Sequence, residues 1–398
     1  MTLTEELALK QAAEADREIA AGKYRGPLHG IPWVAKDLIA YPGHKTTWGA
    51  GHYKEQTIDQ KATVAARLEE AGAVLVAKTT LGALANGDEW FGGRTNNPWD
   101  VKQGSSGSSA GTSAAVAAGL VPFGIGSETL GSIVSPCTRC RVTGLRPTFG
   151  RVSRHGCMTL SWSMDKLGPI ARTVEDCALV FGAIHGADEH DATAVTRPFG
   201  WPCKRDLKDI RVGFFEGRGG ALRAEDRKVL EGLGVKLVPV ALPDKLPLQA
   251  MQFILSVEAS AAFDDITRAG TLDAIGRSWP ATFRRGRFIP AVEYLRAQRV
   301  RTLLMQEMAK LMEQVDLYVH SGYGSELLTS NLTGHPTVVV PNGVRKGNGG
   351  NETAQPFTFT GRLWGESELL AVAKAYQDAT GHHTRRPPLK EAEKGEDK

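Results

Sequence analysis

The sequence predicts an α/β protein in which a central mixed, mostly parallel, twisted β-sheet is covered by helices on both faces. Apolar strand-like runs alternate with amphipathic helical segments along most of the 398 residues, which is the pattern of a sheet flanked by helices. The composition, 41% hydrophobic and 23% charged, is typical of a soluble globular protein with a large core. Because no internal repeat or low-complexity linker divides the chain, residues 1–383 are expected to form one domain.

In the first half of the chain, helical and extended segments alternate. Apolar spacing predicts a helix over 4–22, a strand over 31–36, a helix over 57–71, a strand over 73–77, a loop over 82–100, a helix over 114–120 and a strand over 121–125. Thr4 is a candidate N-cap of the first helix, and Gly22 lies just past its end. The loop over 82–100 is long and aromatic, as loops that line ligand pockets often are.

The second half continues the alternation. It predicts a helix over 173–186, a strand over 210–215, a helix over 224–233, a strand over 235–240, a helical zone over 248–315, a strand over 336–343 and a helix over 366–379. The helical zone carries an amphipathic repeat through Val292, Leu295, Leu303, Leu304, Met308, Leu311 and Val315. Residues 384–398 are charged and contain proline, so we predict a disordered tail.

Lys36 ends the predicted strand over 31–36. Because side chains alternate in an extended chain, Lys36 shares a face with Val34, whereas Asp37 shares the opposite face with Trp33 and Ala35. The strand could therefore bury the lysine without its neighbouring carboxylate.

Charge and cysteine content bear on partners and location. Lysine and arginine exceed aspartate and glutamate by 48 − 44 = 4, too few to require a nucleic acid or an acidic membrane as partner. Five cysteines in a chain without an apolar signal segment indicate a reducing cytoplasm. No apolar run reaches the roughly 18 residues of a membrane span. We expect a cytoplasmic protein with no nucleic-acid or membrane partner, and a homodimer stays open.

The segment from Lys102 to Pro147 is the candidate functional centre. It is dense in serine and glycine, yet an apolar helical segment and an apolar strand-like run interrupt it, unlike a flexible linker. A site that needs several backbone amides and small hydroxyls at close quarters has this composition. We interpret the segment as an active site.

Two short motifs in this segment point elsewhere. Gly107 to Gly111 matches the G-x-S-x-G nucleophile elbow with Ser109 as nucleophile, but the polar stretch before it is not the strand that an elbow requires. Gly124 and Gly126 resemble part of a dinucleotide fingerprint, but no helix follows them.

Cys137 and Cys140 form a C-x-x-C pair, which could be redox-active or half of a zinc site. No second C-x-x-C completes a zinc site, so two small buried thiols are expected. We predict no metal and no cofactor.

Several motifs in a fixed order resemble the amidase signature family of serine hydrolases. They are GPLHGIPWVAKD (26–37), GSSAGTSAAVAAG (107–119), GSETLGSIVSP (126–136), CRVTGLRPTFGRVS (140–153), DKLGPIARTVEDCALV (165–180) and LTGHPTVVVP (332–341). The resemblance runs from about residue 5 to about residue 379, with a signature core over about 26–182. It implies the amidase signature fold.

The resemblance implies a Ser-cisSer-Lys catalytic triad. Matched motif by motif, the nucleophile is Ser132, the bridging serine is Ser108 and the base is Lys36, with a cis peptide bond between Gly107 and Ser108. A serine hydroxyl needs a base within hydrogen-bond reach. Bringing a lysine pKa from about 10.4 to near 7 costs roughly 4–5 kcal/mol, and burial can supply a shift of about 3–5 units.

The resemblance also implies roles around the triad. The oxyanion hole is expected to be the backbone N–H groups of Thr129, Leu130 and Gly131. Supporting positions are Ser127, Gly107 and Ser109. Four aromatic residues are expected to line an acyl pocket or, equally, to pack in the core, namely Trp33, Trp90, Phe91 and Trp162.

Three residues depart from the family motifs. Leu130 stands at a family glycine, where a backbone donor survives only with a negative φ. Val134 replaces the arginine that follows the nucleophile, and Arg141 replaces a glycine where close packing is expected.

These observations predict an enzyme that hydrolyses the C–N bond of a small, linear carboxylic amide, with esters or carbamates as side substrates. One alternative is the glutaminase subunit of a tRNA-dependent amidotransferase, which needs a partner chain. Another is a non-catalytic metal- or thiol-binding protein that uses Cys137 and Cys140. A solvated helix face is expected for a basic set made of Arg284, Arg285, Arg287, Arg296, Arg299 and Arg301.

Overall fold

The β-strands provide the frame of the molecule, for which the computed structural model describes residues 1–216, 222–276, 279–320, 323–346 and 352–389. Most of the predicted tail, 390–398, lies outside the described residues. The described strands are β1 Thr2–Leu3, β2 Pro32–Lys36, β3 Val74–Thr79, β4 Glu89–Trp90, β5 Gly93–Arg94, β6 Asn96–Asn97, β7 Asp100–Gly104, β8 Phe123–Glu128, β9 Thr143–Arg146, β10 Lys166–Ala171, β11 Arg211–Phe215, β12 Lys236–Val240, β13 Leu317–His320, β14 Thr337–Lys346 and β15 Glu352–Gly361.

Within the described residues, eleven strands form one sheet in the order β1-β3-β2-β8-β10-β9-β14-β15-β13-β11-β12. Pairing is parallel in β3-β2-β8 and in β13-β11-β12. Pairing is antiparallel from β8 through β10, β9, β14 and β15 to β13. The predicted mixed sheet is confirmed, and its parallel ladders lie in two groups on either side of an antiparallel centre.

Helices cover both faces of this sheet, as predicted. In the described chain they are α1 Glu5–Ala20, α2 Thr63–Glu70, α3 Ala110–Ala118, α4 Val134–Cys140, α5 Val174–Ile184, α6 Ala224–Gly232, α7 Leu248–Met251, α8 Phe253–Ala262, α9 Asp264–Arg268, α10 Trp279–Gly286, α11 Ala291–Gln314, α12 Ser325–Thr333 and α13 Glu366–Thr380. One core cluster packs α2, α5 and α13 on one face, and another packs α3 and α4 on the other. None of these described helices is long and apolar enough to cross a membrane.

Two predicted helix starts differ from the structure. Thr4 precedes α1, but its hydroxyl donates to the carbonyl of Leu75 at 2.6 Å instead of capping the helix. The second helix begins at Thr63 rather than Thr57, because Thr57 is held in a β-bridge with Lys45. Tertiary pairing therefore overrides local helical spacing at both places.

The amphipathic repeat predicted for the long helical zone is only partly correct. The buried residues of α11 are Ala297, Arg301, Leu304, Met308, Leu311 and Met312. Val292, Leu295 and Leu303 are exposed, because they lie on the other side of the helix from this stripe. The solvated basic face is confirmed for five of the six arginines but is wrong for Arg301, whose guanidinium donates to the carbonyls of Leu332 and Ser163.

Candidate active site

The site lies where two neighbouring parallel strands end. β2 and β8 run in the same direction, so their carboxyl ends meet at one edge of the sheet and bring Lys36 close to Ser127. Val34 packs in the cluster around α3 and α4, whereas Trp33 and Ala35 pack in the opposite cluster. The predicted sharing of one face by Val34 and Lys36 is therefore confirmed, and Lys36 is fully buried.

The amine of Lys36 is surrounded by serine oxygens. Its Nζ lies 2.7 Å from Ser108 Oγ, 2.9 Å from Ser127 Oγ, 3.1 Å from Ser109 Oγ and 3.3 Å from the Ser127 carbonyl. No carboxylate in the described chain forms an ion pair with this amine. The three predicted serines thus converge on Lys36 as neutral partners.

This environment destabilises the protonated, charged form of Lys36. Burial removes water from the ammonium and lowers the pKa of Lys36 to about 7, although the more distant carboxylates of Asp165 and Glu128 act in the opposite direction. A substantial fraction of the amine is therefore neutral near neutral pH, which is the form that can accept a proton.

The chain reaches Ser108 through a tight passage. The peptide bond between Gly107 and Ser108 is cis, as the motif resemblance implied. A Cβ atom at Gly107 would lie 1.8 Å from the carbonyl oxygen of Gly87, far inside van der Waals contact. Only glycine therefore fits at this position. The tight packing places the Ser108 hydroxyl next to the buried amine.

Ser132 lies on the loop between β8 and α4, next to the start of α3. The backbone N–H of Ser109 donates to the Ser132 carbonyl at 3.1 Å, which ties the two segments together. Ser132 is 9% exposed. Within the described residues its hydroxyl takes part in no hydrogen bond, so it remains uncommitted at the edge of the buried serine cluster.

The loop before Ser132 presents free donors. Among the described groups, none accepts a hydrogen bond from the backbone N–H of Thr129, Leu130 or Gly131. Gly131 has a φ of +84°, and Leu130 is absent from the non-glycine residues with positive φ. Leu130 therefore has the negative φ that a backbone donor at this position needs. The three N–H groups are free to donate, as the groups of an oxyanion hole must be.

Glu128 braces this loop, and sequence reasoning missed it. Its Oε2 accepts from the N–H groups of Ile133 and Val134 at 2.8 and 2.9 Å. Its Oε1 accepts from Arg146 at 2.5 Å and from Asn331 at 2.8 Å. Burial alone would raise the pKa of Glu128, but the Arg146 charge and these hydrogen bonds outweigh it and lower the pKa to about 2. The ionised carboxylate of Glu128 therefore holds the loop in place, and Val134 takes part through its backbone N–H.

Asp165 is a second, partly buried carboxylate to which the motifs gave no role. It accepts from the Thr129 hydroxyl at 2.6 Å and from the N–H groups of Leu160 and Ser161 at 2.8 and 2.9 Å. Burial raises its pKa despite these hydrogen bonds. Asp165 fixes Thr129, and so the first residue of the donor loop.

Trp33 does not line the site, which corrects its assignment to an acyl pocket. It is 1% exposed and stacks on Phe123, with 6.3 Å between ring centroids and 7° between planes. It packs on the face of β2 opposite Lys36, because strand side chains alternate. For this residue the core alternative is correct.

The other three aromatic residues are outside the core. Trp90 and Phe91 pack against each other at the β4–β5 hairpin, with ring centroids 4.8 Å apart, and their role in binding stays a prediction. Trp162 is 49% exposed and lines an open cavity of about 370 Å³.

Two cavities near the site share part of their lining. The cavity at Trp162 shares Met158 and Thr159 with a narrow one of about 20 Å³, whose wall includes Ser127 and Thr129. The smaller cavity therefore reaches the first residue of the donor loop, whereas Lys36, Ser108 and Ser132 are not among the described lining residues of either cavity.

The cysteine pair is buried in α4. Cys137 and Cys140 are inaccessible to solvent, and burial raises the pKa of both thiols. In the part of the chain that the structure describes, no cluster of three or more His, Cys, Asp or Glu residues could hold a metal ion. The metal- or thiol-binding alternative gains no support there.

Comparisons with known proteins agree with this geometry. The family model described as Amidase matches residues 1–325. The chain is 34% identical to the glutamyl-tRNA(Gln) amidotransferase A subunit of Carboxydothermus hydrogenoformans, over 98% of this chain and 91% of the relative. It is 35% identical to the protein of the same name from Thermosynechococcus vestitus, over 98% and 92%.

Solved structures resemble the whole chain as well. A peptide amidase from Stenotrophomonas maltophilia superimposes with a TM-score of 0.82 and 28% identity, over 98% of this chain and 90% of that one. A structure described as "An unexpected vestigial protein complex reveals the evolutionary origins of an s-triazine catabolic enzyme" gives a TM-score of 0.87 and 28% identity, over 98% and 92%.

Proposed function

The chain belongs to the amidase family, the amidase signature enzymes, which act on C–N bonds, and from this premise we propose that it hydrolyses a small carboxylic amide through an acyl-enzyme on Ser132. The observation that carries the proposal is the 2.7 Å contact between Lys36 Nζ and Ser108 Oγ in the protein interior. A buried amine surrounded by neutral hydroxyls is suited to act as a base.

In the proposed mechanism, neutral Lys36 accepts the proton of Ser108 while Ser108 accepts the proton of Ser132. Ser132 Oγ attacks the carbonyl carbon of the amide, and a tetrahedral oxyanion forms. The proton then returns from Lys36 through Ser108 to the departing nitrogen, and the C–N bond breaks. Water repeats the sequence on the acyl-enzyme, releasing the carboxylic acid and restoring Ser132.

The free N–H groups of Thr129, Leu130 and Gly131 would stabilise the oxyanion. Each such donor contributes about 3–4 kcal/mol to the transition state in serine hydrolases. Their positions depend on Glu128 and Asp165, which hold the two ends of the loop through hydrogen bonds. We assign these two carboxylates positioning roles.

The cavity beside the site favours an uncharged, largely apolar acyl group. Its wall includes Trp48, Tyr53, Met158, Trp162 and Phe263, together with one carboxylate, Asp265. Apolar and aromatic walls of this kind bind neutral groups by excluding water.

The five free cysteines support a cytoplasmic location for the enzyme.

A second candidate is the glutaminase subunit of a tRNA-dependent amidotransferase. It is favoured by the relatives that carry the name of an amidotransferase, which are 34–35% identical over 98% of this chain. In that role the amide would be glutamine, and the released ammonia would pass to a partner protein.

Ammonia release by the purified chain separates the two candidates. Short aryl, aliphatic and amino-acid amides are supplied alongside L-glutamine, with Lys36→Ala as the inactive control. We expect turnover of at least one aryl or aliphatic amide by the chain alone. Turnover of glutamine only would favour the amidotransferase role, and equal turnover by Lys36→Ala would refute both.

A further inference from the structure

A second cleft, of about 600 Å³, has a lining of its own that includes Ser135 on α4. Its wall is formed by the β6–β7 hairpin, α4, the start of β15 and residues 385–388, and none of Lys36, Ser108 and Ser132 belongs to it. A volume of this size falls within the range of roughly 300–1,000 Å³ found for small-molecule sites. The cleft is therefore large enough for a ligand of its own.

The charges around the cleft are unequal. Four arginines line it, namely Arg139, Arg141, Arg385 and Arg386. The wall also holds two carboxylates, Asp100 and Glu352, so the balance is 4 − 2 = +2. Of the four guanidinium groups, only Arg141 forms an ion pair among the described residues, with Glu352 at 3.1 Å.

Two of the remaining arginines, Arg139 and Arg386, use neutral acceptors. Arg139 donates to the side-chain oxygen of Gln103 at 2.8 Å. Arg386 donates only to backbone carbonyls, at 3.2–3.5 Å, which are long hydrogen bonds. Within the part of the chain that the structure describes, these exposed cations therefore have no carboxylate partner and remain available to an anion.

Arg141 is built into the wall. Its side chain is 10% exposed, and its guanidinium lies 4.2 Å from the ring centroid of Trp99. Among the described residues, its buried Nε has no hydrogen-bond partner. Its φ is +55°, a conformation that favours glycine. A large cation thus occupies a strained backbone position, nearly buried, with one donor unsatisfied beside the cleft.

We infer that this cleft binds a small dianion, either a dicarboxylate or a phosphate ester, whose oxygens are held by Arg141 and the neighbouring arginines. Guanidinium groups bind both oxyanions through paired N–H donors. Two negative charges would neutralise the excess of the wall. The site does not depend on the proposed amide hydrolysis, because the Ser132 loop does not line it.

Isothermal titration calorimetry of the full chain tests the site directly. Inorganic phosphate and succinate are titrated separately at constant ionic strength, with acetate as a monoanion control. We expect saturable one-to-one binding of at least one dianion, and the preference between the two identifies the ligand class. Arg141→Gly should weaken binding about tenfold or more. Glycine readily adopts the positive φ of this position, so the variant should fold.

Two further variants complete the test. Arg386→Gln removes an exposed cation of the wall and should weaken binding severalfold without altering the melting temperature. Arg227→Gln changes an exposed arginine on α6, paired with Glu231, and should bind like the wild type. The inference is overturned if neither dianion binds at up to about 10 mM, or if both wall variants bind as tightly as the wild type.

Discussion

Lys36 and Ser108 meet at 2.7 Å inside the protein, while the neighbouring carboxylate of Asp37 pairs with Lys78 at 2.8 Å. Because Asp37 is engaged elsewhere, no adjacent negative charge stabilises the ammonium of Lys36. Burial therefore outweighs the opposing charges of the more distant Asp165 and Glu128, and the protonation of Lys36 should govern both activity and stability.

Activity should rise with pH through about 7. The pKa of Lys36 is lowered to about 7 by burial, and only the neutral amine can accept the Ser108 proton. Below this pKa, kcat/KM should fall about tenfold per pH unit. A profile of kcat/KM between about pH 5 and pH 9 measures this pH dependence and its midpoint. A midpoint near the ordinary lysine pKa would contradict the role of Lys36, and Lys36→Arg should be inactive throughout.

Replacing Lys36 should change how stability depends on pH. The pKa of Lys36 is about 7 in the folded protein and about 10.4 in the unfolded chain. Between these values the unfolded state binds more protons, so stability rises with pH. From pH 7 to pH 9 this group should add about 2 kcal/mol to the free energy of unfolding.

Urea unfolding of the wild type and Lys36→Met at both pH values isolates this contribution. The other buried lysines are common to both proteins, so they cancel in the comparison. Parallel changes in the two proteins would show that Lys36 keeps its proton on folding.

Ser132→Ala should abolish covalent labelling by a fluorophosphonate probe and remove acyl transfer. The variant loses the oxygen that is acylated in the proposed mechanism, so amide turnover should fall by several orders of magnitude. Gel fluorescence and mass spectrometry of the labelled peptide measure it. Ser367→Ala, on α13, is the control and should label like the wild type. A labelled Ser132→Ala protein would assign the nucleophile elsewhere.

Glu128→Gln should destabilise the protein by about 3–5 kcal/mol, because it leaves the buried Arg146 without its charged partner. Arg146 Nη1 and Glu128 Oε1 lie 2.5 Å apart, and both side chains are 0% exposed. Urea unfolding at neutral pH measures the change. Glu231→Gln breaks an exposed pair with Arg227 and should stay within about 0.5 kcal/mol. Similar stability of the two variants would refute the bracing role.

Gly107→Ala should eliminate activity, since its Cβ would lie 1.8 Å from the Gly87 carbonyl oxygen. The backbone must shift, and Ser108 shifts with it. Gly232→Ala meets nothing within 4 Å and should be neutral or slightly stabilising. Circular dichroism establishes that both variants fold, and amide turnover compares them. Full activity in Gly107→Ala would mean that the passage to Ser108 is not constrained.

The fold was predictable where apolar runs coincide with strands. β2, β3, β8, β11 and β12 follow runs of valine, leucine, isoleucine or phenylalanine. β10 (KLGPIA) and β15 (ETAQPFTFTG) were not predicted, because glycine, proline, alanine and charged residues dilute their strand propensity. They are strands because their neighbours in the sheet supply the hydrogen bonds, which a local pattern does not show.

The site was predictable where ordered motifs carry it. Lys36, Ser108 and Ser127 converge as the motifs indicated. Glu128 and Arg146 were missed, because each in isolation is typical of a surface residue and only long-range pairing buries it. Trp33 was misassigned because the sequence does not say which face of β2 a pocket occupies.

The place of β14 in the sheet has a consequence for biosynthesis. This strand pairs with β9 and joins the two halves of the sheet, although it follows the active-site segments by more than a hundred residues in sequence. While the nascent chain emerges from the ribosome, β9 has an open edge that invites aggregation. A premature stop codon before Thr337 would also take away the Thr337 hydroxyl that receives a hydrogen bond from Arg146. Translation must therefore pass β14 before Arg146, the partner of Glu128, has all the hydrogen bonds that it makes in the folded protein.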